Sequence, residues 1–400
     1  MKKIAANDPL GHLSLANTAW VTSKKYLYLS SLALPLVPIL SAYIALKSGN
    51  GAWFWLFVVF FYLIFPFIDH LMGDDPANPN EDLSAELSKD RYYVKLMYFA
   101  TAMHWVAVFA MSYAVAKNGL SWGWLSILGA ALSLGLANGL ALVAGHELGH
   151  KVNDKGQLAA AKIILACSGY GHFTIEHNKG HHKDVATPED PASSRLGENI
   201  YKFMLREIPG AAKRAWHLEK ARLARLGKSS WSFSNEIIQP ALITITAYSI
   251  IVSLFGWIMI PFLLLSAAYG WWQLTCANYT EHYGLLREKL QSGRYERCQP
   301  HHSWNSNSKA SNLLLLHLQR HSDHHAHPTK PYQVLRDYDN VPTMPFGYPA
   351  MFGIAMIPPL WFALMDQRVI TWANGDLNKV NISPDKKEKY KSLSLKLTGA

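Results

Sequence analysis

The apolar residues of this chain fall in long blocks nearly free of charge, at positions 26–46, 52–71, 94–116, 121–145, 240–253 and 256–277. Most of these blocks are about 20 residues long, the length a helix needs to cross a hydrocarbon core of about 30 Å. Half of the 400 residues are hydrophobic and only 16% are charged. A soluble core seldom repeats such runs, so the fold class expected is all-α: an integral membrane bundle of six transmembrane helices. The block at 240–253 is short and nearly continuous with 256–277, which predicts a tight hairpin.

Lysine and arginine placement sets the orientation. Of 38 such residues, 36 lie before position 26, between 72 and 95, between 151 and 239, or after 278; only Lys47 and Lys117 sit in turns on the other side. Six spans bring all the basic segments to one face. The positive-inside rule makes that face cytoplasmic, with both termini on it and segments 72–93, 151–239 and 278–400 exposed there. The whole chain reads as a single integral membrane catalytic domain. The net charge of +10 follows from this topology and forms no dense aromatic-laced patch of the kind that binds nucleic acid. The start of the chain has no short apolar core followed by a cleavage site. Residues 351–365 are too short and too proline-broken to span, so they should lie at the interface or against the spans. The charged tail from Ser383 is expected to be loose.

Three cysteines without a CxxC pair exclude a disulfide framework and a cysteine-ligated metal centre. The 18 histidines, by contrast, are clustered. HELGHK carries His146 and His150; EHNKGHH carries His177, His181 and His182; LQRHSDHHA carries His321, His324 and His325; and NYTEHYGL places His282 just after the last span. On helices, residues four apart share a face, so each cluster can aim two or three imidazoles at one point. His12, His70, His104, His172, His217, His301, His302, His317 and His327 stand apart and read as structural or exposed.

HELGH by itself matches the HExxH pattern of a zinc protease, with Glu147 as general base. That reading fails on two counts. Spans 240–253 and 256–277 contain no Asp to complete the site, and seven further clustered histidines are left without a role. One catalytic zinc takes three protein ligands; nine imidazoles suit two metals at four or five each. Imidazole accepts iron, copper, nickel or zinc, but the position at the mouth of an apolar bundle favours redox iron acting on a substrate from the bilayer. A histidine-using metal transporter would need ligands at mid-membrane depth, whereas these clusters lie at or beyond the span ends.

Together the four motifs resemble those of the integral-membrane non-haem di-iron enzymes, the histidine-box fatty acid desaturase and hydroxylase superfamily; NYTEHYGL is similar to the motif that marks the membrane alkane hydroxylases. The resemblance covers most of the chain. It implies terminal hydroxylation of medium-chain n-alkanes to 1-alkanols by hydrogen-atom abstraction at a His-ligated di-iron centre, with O2 as co-substrate. It implies electrons from an acidic rubredoxin served by an NAD(P)H-dependent reductase, a site in the bacterial inner membrane, and the nine histidines as ligands to two iron ions. A related desaturase or alkyl-aromatic hydroxylase is the alternative.

Neutral imidazole ligands call for carboxylates behind them to fix their tautomers. The candidates are Glu147, Glu176, Asp190, Glu281 and Asp323, with His172 nearby. An alkane offers only apolar surface, so chain length would be read by the depth of a tunnel, which Trp55, Phe61, Trp271 and Trp272 are candidates to close. Gly135, Ala137 and Gly139 permit close helix packing. Arg195, Arg206, Lys213, Arg214 and Arg222 are candidates for docking the acidic electron donor.

Overall fold

The computed structural model describes residues 15–398 of the chain, whose regular elements are all helices, with no strand beyond isolated bridges; His12 lies outside them. Among the described residues five helices are long and apolar enough to cross a membrane, or six if the bent pair Tyr348–Ala355 and Pro358–Trp372 counts as one span: α1 (Trp20–Ser48), α2 (Gly51–Met72), α3 (Arg91–Gly119), α4 (Trp124–Gly149) and a later helix, Ile238–Phe255. Between α4 and that later helix come the histidine-bearing α5 (173–184) and the long amphipathic α6 (Ile200–Arg225). Ile238–Phe255 is then α7, and α8 is Met259–His282.

Polar side chains start several of these helices by satisfying orphan amides. Asp90 accepts from Tyr92 N at 2.9 Å to open α3. Asn199 accepts from Lys202 N at 2.9 Å to open α6. Gly256, at φ +87°, makes the sharp turn between α7 and α8 that a side chain would resist, giving the hairpin read from the sequence. Helix α8 runs 24 residues, but its last turns carry Gln273, Thr275, Asn278, Thr280 and Glu281. Its apolar part therefore falls short of the five long helices, because this end faces a polar site.

α4 is the central element: 83% of its most apolar window is buried, against 11% for α7, which sits on the rim. α8 lies along α4 in the most extensive helix contact of the molecule. Two glycines make that approach possible. A Cβ on Gly135 would stand 2.6 Å from the Ser266 carbonyl oxygen, and one on Gly139 would stand 2.6 Å from the Gln273 Cβ. α1 packs on α3, and α6 covers α5 and the polar half of α8.

Beyond α8 the chain wraps the polar end of the bundle. It includes α9 (His321–Ala326), α10 (Tyr348–Ala355) and α11 (Pro358–Trp372). α10 packs against α8, and α11 turns away from α10 by 117°, in keeping with the proline break in the sequence. The tail expected to be loose is held down instead. It forms a helix over Lys387–Thr398, and the buried Tyr390 hydroxyl donates to Asp366 at 2.6 Å. Counting charges missed this single aromatic anchor.

Candidate metal centre

The nine clustered histidines converge into two groups. His146, His150, His177, His182 and His324 form one; His181, His282, His321 and His325 form the other, and within each group the candidate ligand atoms lie within 4.8 Å of one another. The first pair sits on the last turn of α4, where an i, i+4 spacing puts both rings on one face and their Nε2 atoms 3.2 Å apart. α9 divides its three. His324 turns to the first group, 2.9 Å from His146 Nε2 and 3.1 Å from His182 Nε2; His321 and His325 face the second, 2.8 Å apart.

α5 departs from the expected geometry for a reason. Residues His177–His181 form a π-turn, and the amide of His182 bonds to the His177 carbonyl five residues back. A π-turn stacks residues five apart rather than four. His182 thus lies over His177, with Nε2 atoms 3.0 Å apart, and His181 is rotated out toward His282 and His325, each 4.9 Å away between ring centres. The EHNKGHH spacing read as an α-helix pairs His177 with His181; the structure sends them to different groups.

The residues present fit two metal ions. Facing Nε2 atoms at 2.8–3.2 Å match the separation of about 3 Å expected for neighbouring imidazoles each about 2.1 Å from a shared ion. His181 Nε2 and both ring nitrogens of His282 are buried without a hydrogen-bond partner, and an ion would take up one nitrogen of each ring. Burial holds His177, His182, His321, His324 and His325 well below the ordinary imidazole value, which keeps them in the neutral, ligating form. Burial also lowers His181, but the Asp190 carboxylate outweighs it and holds that ring above the ordinary value.

Of the carboxylates singled out, Asp190 touches a clustered histidine through Oδ2, 2.9 Å from His181 Nδ1. Glu281 does so as well, with Oε2 at 3.2 Å from His321 Nε2 while the Tyr348 hydroxyl donates to Oε1 at 2.7 Å. Glu176 instead pairs with Arg214. Glu147 accepts from the Tyr332 amide at 3.3 Å and lies 3.6 Å from Lys151. Asp323 organises the following loop through His327, Lys330 and Tyr338. His172 packs on Tyr170 at 4.3 Å between ring centres.

A narrow cavity opens beside the histidines. Leu140, Leu142, Val143, Leu274, Leu315 and Phe352 wall it; His146, His177, His321 and Glu281 stand at one end, and Gly139 and Gln273 at the other. The aromatics expected to close a tunnel are elsewhere. Trp55 donates to the Leu125 carbonyl at 3.1 Å, Phe61 is packed in the core beside Phe57, Trp271 donates to the Ser168 carbonyl at 2.7 Å, and Trp272 stacks on Tyr201. The far end is closed by a polar pair the sequence reading did not name: Gln273, whose Oε1 accepts from the Tyr62 hydroxyl at 2.8 Å.

The docking candidates divide too. Arg206 is tied to Glu198, Arg214 to Glu176 and Asp190, and Arg222 to Glu219; Arg195 bonds Glu198 through its amide. Lys213 is exposed. Among the histidines read as structural, His317 meets the Tyr28 hydroxyl at 3.0 Å, His104 is buried in α3, and His70, His217, His301 and His327 are exposed. His302, with Glu296 and His301, forms a third ligand-like group. The Gln299 amide donates to His302 Nδ1 at 2.9 Å, so its Nε2 carries the hydrogen and points it at Glu296, 3.2 Å away.

Such a helical membrane bundle capped by a nine-histidine centre defines a class. Residues 122–355 match the family model described as fatty acid desaturase. An alkane 1-monooxygenase of Alcanivorax borkumensis is 52% identical over 94% of this chain and 92% of its own length. An alkane 1-monooxygenase of Pseudomonas putida is also 52% identical, over 93% of this chain and 92% of its own. The xylene/toluene monooxygenase hydroxylase component of Pseudomonas putida is 28% identical over 60% of this chain and 64% of its own length. The chain belongs to the fatty acid desaturase family, in its alkane 1-monooxygenase branch.

Proposed function

We propose that this chain hydroxylates the terminal methyl of medium-chain n-alkanes, R–CH3 + O2 + 2 e− + 2 H+ → R–CH2OH + H2O. The observation that carries the reading is the meeting of an almost wholly apolar cavity with two convergent histidine groups. A terminal C–H bond offers nothing to an acid or a base, and two irons held there would supply the O2 reduction and hydrogen-atom abstraction. His146, His150, His177, His182 and His324 would hold one iron, and His181, His282, His321 and His325 the other. Asp190 fixes the His181 ring so that Nε2 faces the site. The leucine and valine walls bind the chain at about 0.8 kcal/mol per buried CH2 and exclude water from the reacting end.

The electron donor in this reading is a rubredoxin, reduced by an NAD(P)H-dependent reductase and docked on the basic face, with exposed Lys213 nearest to the role. The concentration of lysine and arginine on that face supports a cytoplasmic orientation in a bacterial inner membrane, with the whole chain acting as one catalytic domain. Alkyl-aromatic hydroxylation is the second reading, supported by the likeness to the xylene/toluene enzyme.

Membranes carrying the protein, given rubredoxin, its reductase, NADH, O2 and a series of n-alkanes, should form 1-alkanols, and a His324→Ala variant should form none. Benzylic alcohol from xylene, with no product from any alkane, would shift the assignment to the second reading.

A further inference from the structure

The reaction proposed above consumes two protons per turnover, and in the larger cavity Glu281 is the one carboxyl among the lining residues. A second, smaller cavity adjoins it. Tyr170, His172, Glu176 and Glu207 line this space, and His177 and His181 form part of its wall. Phe173, Leu274 and Asn278 border both cavities. The smaller space is half polar and just large enough for about one water, which such sites hold through two to four partners.

Glu207 stands out among the carboxylates here. Glu176 and Asp190 are both ion-paired to Arg214. Glu207 is 1% exposed, and among the described residues no cation pairs with it. Its Oε2 accepts from the Thr275 hydroxyl at 2.8 Å and its Oε1 from the Asn278 amide at 3.1 Å. Burial, reinforced by the nearby Glu176 and Asp190 charges, pushes its carboxyl up to about 7, so it can both hold and release a proton near neutrality. The other titratable groups around it are Tyr170, the Cys276 thiol, His172 and His181. His172 is half-exposed, yet its Nε2 is buried and has no partner, which places an imidazole between this cavity and the outside.

We propose that Glu207 is a proton relay for the hydroxylation: its carboxyl passes protons through water in the small cavity to the His177/His181 side of the centre, and is reloaded from solvent past His172. In each transfer the Glu207 O–H bond breaks and the proton moves onto cavity water. The carboxylate then takes up a proton from solvent, so the residue ends unchanged. The two protons appear in the product water while the donor supplies both electrons, as the overall equation requires. The inference rests on the hydroxylase reading given above.

A simple tether between α6 and α8 is the competing role, and Glu207→Gln separates the two, since glutamine keeps the size and can keep both hydrogen bonds but has no proton to give. Three readouts apply to the full membrane enzyme: the infrared C=O band of a protonated carboxyl, the alcohol formed per NADH consumed, and the solvent deuterium isotope effect. The parent should show a protonated-carboxyl band that titrates near neutral pH, with or without iron, and that Glu207→Gln removes. The glutamine variant should keep its iron and its thermal stability, lose alcohol yield by about 100-fold, and show a larger solvent isotope effect; Glu207→Asp should recover most of the yield. A glutamine variant with parental coupling and isotope effect overturns the relay alone. So does a parent spectrum without the titrating band, which decides the matter even if the variant fails to fold. A parent that forms no alcohol from any alkane overturns the hydroxylase reading, and the relay with it.

Discussion

Asp190 holds His181 from behind: its Oδ2 lies 2.9 Å from the ring Nδ1, with both side chains at 1% exposure or less. The contact fixes the tautomer that leaves Nε2 bare toward His282 and His325. Removing such a carboxylate typically costs 10- to 100-fold in metal affinity or activity. Asp190→Asn should lower iron retention after dialysis by about that factor, read by metal analysis of the purified protein. Iron content equal to the parent would show that the pair only braces the fold.

The division of nine histidines into five and four predicts that ligand variants act on one metal at a time. His324→Ala should empty the five-histidine group and His325→Ala the four-histidine group. Each purified variant should retain about half of the parent's iron, and neither should make alcohol. A variant that loses all its iron would mean that the groups fill only together.

Gln273 closes the cavity eight residues before Glu281 on the same helix. At 1.5 Å per residue the two stand about 12 Å apart along the helix. Gln273→Ala removes the floor and the partner of the Tyr62 hydroxyl, so the preferred alkane should lengthen. Each further buried CH2 contributes about 0.8 kcal/mol, or roughly fourfold in kcat/KM. Gas chromatography of products from mixed alkanes measures the shift, and an unaltered chain-length profile would place the floor elsewhere.

The crossing of α4 and α8 has no room at Gly139. Gly139→Val should cost about 1–3 kcal/mol through overpacking, seen as a lower unfolding temperature in detergent. Gly353→Ala, whose new Cβ would stand 3.8 Å from its nearest neighbour at Tyr62, serves as the control and should change little.

Asp75 anchors the chain that leads into α9. It lies 2.5 Å from Lys24 Nζ and 3.8 Å from Arg320, which is 1% exposed and precedes His321. Burial raises the Asp75 carboxyl, but the Lys24 and Arg320 charges outweigh it and hold the group below the usual carboxylate range. A carboxyl depressed in the folded state stabilises fully above its unfolded value, about 4, and loses that contribution as pH falls through the folded one. Acid unfolding monitored by circular dichroism should therefore begin at higher pH in Asp75→Asn, which also leaves Arg320 without its counter-ion, at a cost of about 3–5 kcal/mol.

The all-helical membrane fold and the membership of the metal-site candidates were legible because both are periodic. Runs of about 20 apolar residues read as helices, and histidines at three- and four-residue spacing read as faces. What stayed hidden depended on departures from period or on distant contacts. The π-turn at His177–His181 reassigns His181, and nothing but the small Gly180, pressed against Arg214, hints at it. The aromatics guessed for the tunnel were judged by bulk, while the cavity is bounded by the amide of Gln273. Glu207 could have been found: it occupies the inner stripe of α6 with Ile200, Phe203, Ala211, Ala215 and Glu219, and unlike Glu219, which pairs with Arg222, it has no basic residue three or four positions on.

The π-turn carries one more implication. A helix that winds five residues into one turn stores its ligand assignment as a reading frame. Deleting a single residue between His177 and His181 would restore the ordinary winding and keep His182 over His177, now four residues on, with every histidine still present. An insertion in this short segment would instead turn His181 and His182 away from their groups, so the chemistry can be lost there without losing a ligand.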